Sequence, residues 1–370
     1  CHQDVAKSRK VSVGQLNQYA DNFITFAEPK SYVSMKLVDG LLYHDQLKDE
    51  VKKLMKIGKD DDISTIGLAG IMNVPGGKEE GDEIAVYYAY GDIVDGASGA
   101  FSQSESVIDG TKVSKDLENL ADDDDVKAVV IRINSGGGSA YASEQMWRAI
   151  QLVKAKKPVV VSMGGMAASG GYYMSCSANW IVAEPTTLTG SIGIFGMFPD
   201  MSGLITQKLG VKFDEVKTNK NSAFGTMARP FSEEEMAYLS SYISRGYSLF
   251  RQRVADGRHM SVDAVEKVAQ GHVWVGQDAL KIKLVDQLGG LDDAVAKAAK
   301  LAKLDEYYTA SYPGKADWLD QFTSAMSSGS YIDNQMRVAM GEYYSTFMLL
   351  KDLNKQSAIQ ARIPYMVNIK

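Results

Sequence analysis

Between residues 84 and 216 the chain alternates short apolar runs with stretches of helical period, and this alternation confines it to an α/β architecture. Residues 84–90, 128–133, 158–163 and 180–183 read as strands, with 189–195 and 211–216 extending the set. Residues 140–155 carry helical periodicity behind Ser139, which is placed to act as the N-cap, and 172–178 are also read as helical. The later helices are 233–255, 263–269 and 291–302. Crossovers between parallel strands are expected to be right-handed. Residues 110–114 read as a turn, and the acidic run 121–125 as a solvated one. A length of 370 residues suffices for one large domain or two ordinary ones.

The strand at 158–163 leads into Gly164-Gly165-Met166-Ala167-Ala168-Ser169-Gly170-Gly171-Tyr172-Tyr173. Ser169 therefore falls at a strand-to-helix turn, its hydroxyl expected to be left bare by small neighbours. Unpaired N–H groups beside it can face a developing oxyanion. Such a serine is either a presented nucleophile or the small-residue start of a helix packed beneath a neighbouring strand. Asn134-Ser135-Gly136-Gly137-Gly138-Ser139 follows another strand and opens another helix, so its amides can approach a ligand without Cβ interference. This cluster lacks the lysine and Ser/Thr ending of a phosphate-binding loop and the spacing of a dinucleotide fingerprint. A second oxyanion donor suits it better than a phosphate cradle. A third cluster, Thr189-Gly190-Ser191-Ile192-Gly193, brings Ser191, which either hydrogen-bonds a base or belongs to an ordinary glycine-bearing strand.

A nucleophilic serine needs a base. His2 and His44 lie near the N-terminus, His259 in a polar stretch and His272 near a helix end, none with a carboxylate at useful spacing. A Ser-His-Asp triad is thus poorly supported. A lysine serves instead if burial lowers its pKa from about 10.4 toward neutrality. Lys217 and Lys220 are the local candidates, set among Thr and Asn where an ammonium tends to stay solvated.

The net charge of −6, with no basic stripe interleaved with aromatics, argues against a nucleic-acid partner. The two cysteines, Cys1 and Cys176, imply neither a disulfide framework nor a metal cluster, and no cofactor is called for. There is no run of eighteen apolar residues and no opening secretion signal. Residues 5–13 reappear at 254–262 with five of nine positions identical, and Lys36-Leu37-Val38-Asp39 returns as Lys283-Leu284-Val285-Asp286. Offsets of 249 and 247 residues predict a tandem duplication. Residues 1–56 are then the tail of a first copy, 57–83 a linker, 84–303 a second copy and 304–370 a C-terminal extension. With Cys1 in first place, an N-terminal part is expected to be missing. The stretch 312–370, amphipathic at 343–350, has two readings: packing in an assembly interface, or covering the groove.

Three blocks, in order, resemble the signal peptide peptidase family, also called protease IV. They are Asn134 to Ser139, Ala168-Ser169-Gly170-Gly171-Tyr172 and Leu188-Thr189-Gly190-Ser191-Ile192-Gly193. The likeness extends from Ile84 to about Leu301 and takes in Arg229-Pro230 and Gly271 to Ala279. It implies the Clp protease/crotonase superfold, an α/β spiral of ββα units, and a serine endopeptidase of the Ser-Lys type. It also implies Ser169 as nucleophile, Gly138 and Gly170 as oxyanion-hole amides, and Ser191 as the residue that orients the general-base lysine. Two positions depart from the family pattern: Ser222 stands where shorter members carry that lysine, and Gly136 replaces a usual proline. In the long, duplicated form the N-terminal copy supplies the lysine, so the base is expected outside this chain and the chain by itself is expected to be crippled.

The same resemblance implies signal peptides as substrates, a homo-oligomer (a tetramer in the long form), and an N-terminal anchor in the bacterial inner membrane with the catalytic body facing the periplasm. Two rival readings stand beside it. One is a crotonase-type acyl-CoA enzyme, which holds a thioester enolate on paired amides and needs no nucleophilic serine. The other is a peptide-binding scaffold half that has lost its base.

Overall fold

A computed structural model of the chain describes residues 2–22, 24, 27–58, 61–65, 80–96, 107–219, 221–313 and 359–362. Two units are present, Cys1–Gly76 and Gly77–Lys370. The smaller contains α1 (His2–Arg9), α2 (Val13–Asp21), α3 (Pro29–Ser34) and α4 (His44–Met55). Ser12 caps α2 through a reciprocal box with Gln15, the serine hydroxyl accepting from the Gln15 amide and the glutamine oxygen from the Ser12 amide. Arg9 then clamps the return of the chain, donating to the Lys36 carbonyl at 2.6 Å and to Asp39 Oδ2 at 3.1 Å.

In the larger unit β1 (Asp82–Tyr90), β2 (Asp92–Val94) and β3 (Val107–Asp109) precede α5 (Gly110–Asp122). There follow β4 (Val126–Ser135), β5 (Gly137–Ser139), α6 (Ala140–Lys154), β6 (Val159–Ala168) and α7 (Gly170–Ser175). After these come β7 (Trp180–Ala183), β8 (Leu188–Gly190), β9 (Phe195–Gly196), α8 (Glu233–Arg258) and α9 (Val262–Glu266). The remaining elements are β10 (Val273–Val275), α10 (Gly276–Lys281), β11 (Gln287–Leu288), α11 (Leu291–Ala302), β12 (Tyr307–Tyr312) and β13 (Ile359–Arg362).

One sheet runs β10-β8-β6-β4-β1-β12, with β7 also on β6 and β11 on β7. All these pairings are parallel except β10 with β8. Successive side chains of a strand point to opposite faces, so the apolar runs of β1, β4 and β6 feed two layers at once. Ala85, Val129, Ile131, Val159 and Val161 pack with Leu117 of α5 and with Met146, Ile150 and Val153 of α6. Ile84, Val86, Ala128, Val130 and Val160 pack with Ala294, Val295, Ala298 and Ala299 of α11. Full burial of each Val, Leu or Ile contributes about 1.5–3 kcal/mol, so the strands read as continuous apolar runs because both faces need them.

A register shift interrupts β4–β6: Ile133 lies opposite Met163, yet Ser135 lies opposite Ala167. The extra residues on β6 form a bulge at Gly164, Gly165 and Met166 that re-aims the end of the strand. A second sheet, in the order β3-β2-β5-β13-β9, lies beside the bulged end.

The sequence echo has a structural counterpart. Arg258 donates to the Lys283 carbonyl at 3.0 Å and to both Asp286 oxygens at 3.0 and 2.5 Å, the arrangement that Arg9, Lys36 and Asp39 make in the smaller unit. Ser261 caps α9 as Ser12 caps α2. Left-handed residues recur in pairs at Lys10 and His259, Lys36 and Lys283, and Lys56 and Lys303.

Several expected elements differ. Residues 110–114 are the first turns of α5 and not a separate turn, because the Asp109 carboxylate accepts from the Thr111 and Lys112 amides at 2.9 and 3.2 Å and starts the helix there. Residues 211–216 form no strand; they find no ladder partner, and Val216 is 96% exposed. The expected strand at 189–195 is split into β8 and β9, because Ser191 adopts φ +47° and turns its amide onto the His272 carbonyl. α9 ends at Glu266, short of residue 269, and α7 begins at Gly170 and ends at Ser175. At the start of α8, Ser232 and Glu235 form a capping box, and Arg229 grips the buried Glu235 carboxylate at 2.7 and 2.9 Å.

Candidate active site

Three loci converge where β6 passes into α7. Ala168 pairs with Gly190 at the end of β8, Ala167 pairs with Ser135 of β4, and α7 lies against β5. A Cβ on Gly171 would sit 3.2 Å from the Ser135 carbonyl oxygen, so the helix start is packed down onto the strand ends. Ser169 makes the turn between β6 and α7 with φ +51° and ψ −113°. An L-residue there is strained by about 1–3 kcal/mol and persists only where its surroundings over-determine it.

Those surroundings are explicit. The Ser169 amide donates to the Gly190 carbonyl at 2.8 Å, and its carbonyl accepts from the Tyr173 amide at 2.7 Å. The Tyr172 hydroxyl donates to the Leu284 carbonyl at 2.8 Å. The Tyr173 ring lies 4.3 Å from that of Phe250, and its hydroxyl donates to Glu144, which Arg253 holds at 2.5 Å while lying over the Trp147 ring. Burial pushes the Tyr173 phenol well above its usual range, with the neighbouring Glu144 carboxylate adding to it, so the phenol stays protonated as the donor of this contact.

The hydroxyl expected to be bare is covered. Ser169 is 0% exposed, and its Oγ has no hydrogen-bond partner among the described residues. An unpartnered buried hydroxyl is costly, which sets Ser169 apart from the other buried serines of the region. Ser139 donates to Asp95 Oδ1, Ser143 to the Ser139 carbonyl and Ser175 to the Gly171 carbonyl at 2.5 Å. Cys176, at the C-cap of α7, is fully buried, and burial pushes its thiol up to about 12, so it is no competing nucleophile.

Gly138 lies in β5 opposite Ile93 of β2 and Ala361 of β13. A Cβ there would overlap the Ile93 backbone, which is why this position takes glycine. Gly170 is the first residue of α7, where an amide has no intrahelical acceptor. Ser191 follows Gly190 at the end of β8; its amide donates to the His272 carbonyl at 2.7 Å and its hydroxyl to the Gly271 carbonyl at 3.4 Å. The His272 ring meanwhile rests on Trp274, 4.2 Å between centroids, so His272 serves Ser191 through its backbone.

The base candidates do not join them. The Lys217 side chain is 42% exposed and pairs with Glu215 at 2.9 Å, a contact that holds the Glu215 carboxyl below its usual range. Lys220 lies outside the described residues. Ser222, where the sequence resemblance expects a lysine, donates to the Asn219 carbonyl in an exposed turn. Burial lowers the pKa of Lys154 and Lys157, but these ammonium groups donate to the carbonyls of Ser177, Leu120 and Asp123.

Two participants escaped sequence reasoning. Asp95 receives the Ser139 hydroxyl, while its carbonyl receives the Thr111 hydroxyl at 3.0 Å, tying the β5–α6 junction to the end of β2. The other is β13, which lies antiparallel to β5 across the glycine cluster.

The chain is similar in sequence to known proteins. Residues 151–305 match the model of Peptidase family S49, and residues 101–182 match that of Clp protease. The α/β fold expected from the sequence, of the Clp protease and crotonase kind, is the fold observed. The chain is 42% identical over 250 residues to Protease 4 of Salmonella typhi, covering 67% of this chain and 39% of that protein. It is 43% identical over 224 residues to Protease 4 of Haemophilus influenzae, covering 60% and 35%. It is 34% identical over 303 residues to the chloroplastic serine protease SPPA of Arabidopsis thaliana, covering 79% and 44%. The chain thus spans less than half the length of these three relatives.

Proposed function

The chain carries a peptidase family S49 domain, and on that premise we propose that it is the serine-bearing part of an endopeptidase that works through a Ser-Lys dyad. Ser169 is the nucleophile. The observation that carries this reading is its strained turn at the N-terminus of α7, with a buried hydroxyl that no described group engages. The lysine belongs to a further copy of the repeat, N-terminal to Cys1 in a longer protein. This reading is supported by the recurring Arg9 and Arg258 clamps and by the greater length of the relatives.

In the reaction a neutral lysine removes the Ser169 proton as Oγ bonds to the peptide carbonyl carbon. The resulting oxyanion is received by the amides of Gly138 and Gly170, one such donor being worth about 2.7–4 kcal/mol of transition-state stabilisation. The lysine then returns its proton to the leaving amine as the C–N bond breaks, and water hydrolyses the acyl-enzyme by the reverse route. Ser191 orients the lysine.

Apolar signal peptides remaining in a membrane are the proposed substrates. Exposed Met197, Met201, Leu204, Leu209, Phe213 and Met227 support an apolar ligand along the segment after β9. No helix among the described residues is long and apolar enough to cross a membrane. Anchorage in the bacterial inner membrane with the body on the periplasmic side, and assembly into a homo-oligomer, belong to the same proposal.

Peptidase activity on an apolar signal peptide tests it, measured for this chain, for the longer protein and for the longer protein with Ser169→Ala. Activity confined to the unmutated longer protein supports the divided dyad. Equal activity of this chain puts the base within it and turns the search to Lys217 and Lys220. No activity in any of the three leaves the scaffold reading.

A further inference from the structure

We infer that Glu144 is a positioning residue for the reaction: its carboxylate joins the two helices that begin at the oxyanion amides and so fixes the gap between those amides. α6 opens just after Gly138 and α7 opens at Gly170, and the two helices pack against each other. Glu144 stands at the start of the second turn of α6, and Tyr173 in the first turn of α7. The Tyr173 hydroxyl donates to Glu144 Oε2 at 2.7 Å. Among the described residues this is the one side-chain hydrogen bond that runs between α6 and α7.

Each helix start also has an anchor of its own. Ser139 donates to Asp95 Oδ1 beyond the end of β2, and the Ser169 amide donates to the Gly190 carbonyl of β8 at 2.8 Å. Those anchors lie on different strands, so they hold each amide to the scaffold without setting one amide against the other. The carboxylate of Glu144 does that, and it is itself fixed from a third side. Arg253 of α8 donates to Glu144 Oε1 at 2.5 Å and to Oε2 at 3.3 Å, a two-point contact that sets orientation as well as distance. Its guanidinium lies 3.7 Å from the centroid of the Trp147 ring, and Trp147 is the neighbour of Glu144 three residues along α6. Phe250, one turn before Arg253 on α8, holds the Tyr173 ring at 4.3 Å between centroids.

The inference rests on the peptidase reading, since the gap between the amides matters only where an oxyanion forms. A reacting group misplaced by about 1 Å loses about 10²-fold in rate, and deletion of an oxyanion donor loses about 10²–10³-fold. Glu144→Ala slackens the gap and deletes no donor, so its loss should be about 10–100-fold. The oxyanion is present only in the transition state, so the loss should fall on kcat and spare KM.

The test compares the longer protein with its Glu144→Ala, Glu144→Gln and Tyr173→Phe variants on an apolar signal peptide, with a fluorophosphonate titrating Ser169. In the titration Oγ bonds to phosphorus as fluoride leaves, and the final extent counts the folded sites, which separates positioning from loss of structure. Per labelled site, kcat of Glu144→Ala should fall about 10–100-fold with KM within about two-fold of the parent, and the labelling rate should fall with kcat. Glu144→Gln keeps an oxygen for the Tyr173 hydroxyl and should return to within about five-fold of the parent. Tyr173→Phe keeps its ring on Phe250, loses the hydroxyl, and should fall between the two. Parental kcat in Glu144→Ala, a loss confined to KM, or a glutamine variant as slow as the alanine one overturns the inference and leaves the peptidase standing. Should Glu144→Ala leave no site to label, Tyr173→Phe decides, and an unchanged kcat there overturns the inference. A parent neither labelled nor active overturns the peptidase reading and this inference with it.

Discussion

Replacing Ser169 by glycine should make the protein more stable than replacing it by alanine, and both variants should be more stable than the parent. Two terms act at this residue. The hydroxyl is buried without a described partner, and removing it recovers about 1–3 kcal/mol of desolvation in either variant. The backbone, at φ +51° and ψ −113°, stores about 1–3 kcal/mol that alanine keeps and glycine releases. Glycine gives back about 0.5–1 kcal/mol through the larger entropy of its unfolded chain. With central values of about 2 and about 0.75 kcal/mol for the last two terms, the glycine variant should exceed the alanine variant by about 1 kcal/mol. In a unit of this size each kcal/mol moves Tm by about 2–4 °C. Equilibrium urea unfolding followed by tryptophan fluorescence measures the gap, with equal slopes required for the comparison. An alanine variant as stable as the glycine variant would refute the strain argument, and two variants below the parent would refute the hydroxyl argument. In the longer protein both should lose peptidase activity, so stability and function would move in opposite directions at one residue.

Gly138→Ala should destabilise the larger unit by about 1–3 kcal/mol, since its Cβ overlaps the Ile93 backbone; urea unfolding reads the loss, and activity of the longer protein should fall with it. Asp286→Ala should cost about 3 kcal/mol by stranding Arg258, whose side chain is 7% exposed, whereas Asp39→Ala at the matching clamp, where the carboxylate lies in solvent, should leave the unfolding midpoint unchanged. Glu235→Gln should lower stability at pH 7 by an amount that vanishes in acid. Arg229, and then the Ser232 amide, hold the Glu235 carboxyl down to about 2 against an ordinary 4.5, so its contribution is complete above about pH 5 and is lost as pH falls toward 2. Denaturation midpoints of both proteins across that range check the sign.

Much of the scaffold is legible in the sequence because its strands are buried on both faces. The runs around Val129 and Val160 could be nothing else, and α11 can be read to its ends from an alanine-rich apolar stripe. The glycine and serine clusters are legible as chemistry, but their conformations are not. Small neighbours in sequence suggest a bare Ser169, yet its burial depends on groups that arrive from distant parts of the chain. The start of α5 is hidden because a single aspartate cap decides it. Residues 211–216 look like a strand by composition, but a strand exists only where another edge receives it. β13 is hardest to see, since four residues of mixed polarity find their β5 partners more than two hundred positions upstream and their β9 partners more than one hundred and sixty.

The pairing of β1 with β12 has a consequence in time. The Tyr308 hydroxyl reaches Glu83 across 225 residues of sequence, so the outer edge of β1 stays open until nearly all of the larger unit has been made. At about 5–20 residues per second, that interval is roughly 10–45 s on the ribosome. Throughout it a long apolar strand shows an unpaired edge to every other nascent chain nearby. A chain cut shortly after α11 would never close that edge, and would be expected to collect in aggregates while the intact chain stays in solution.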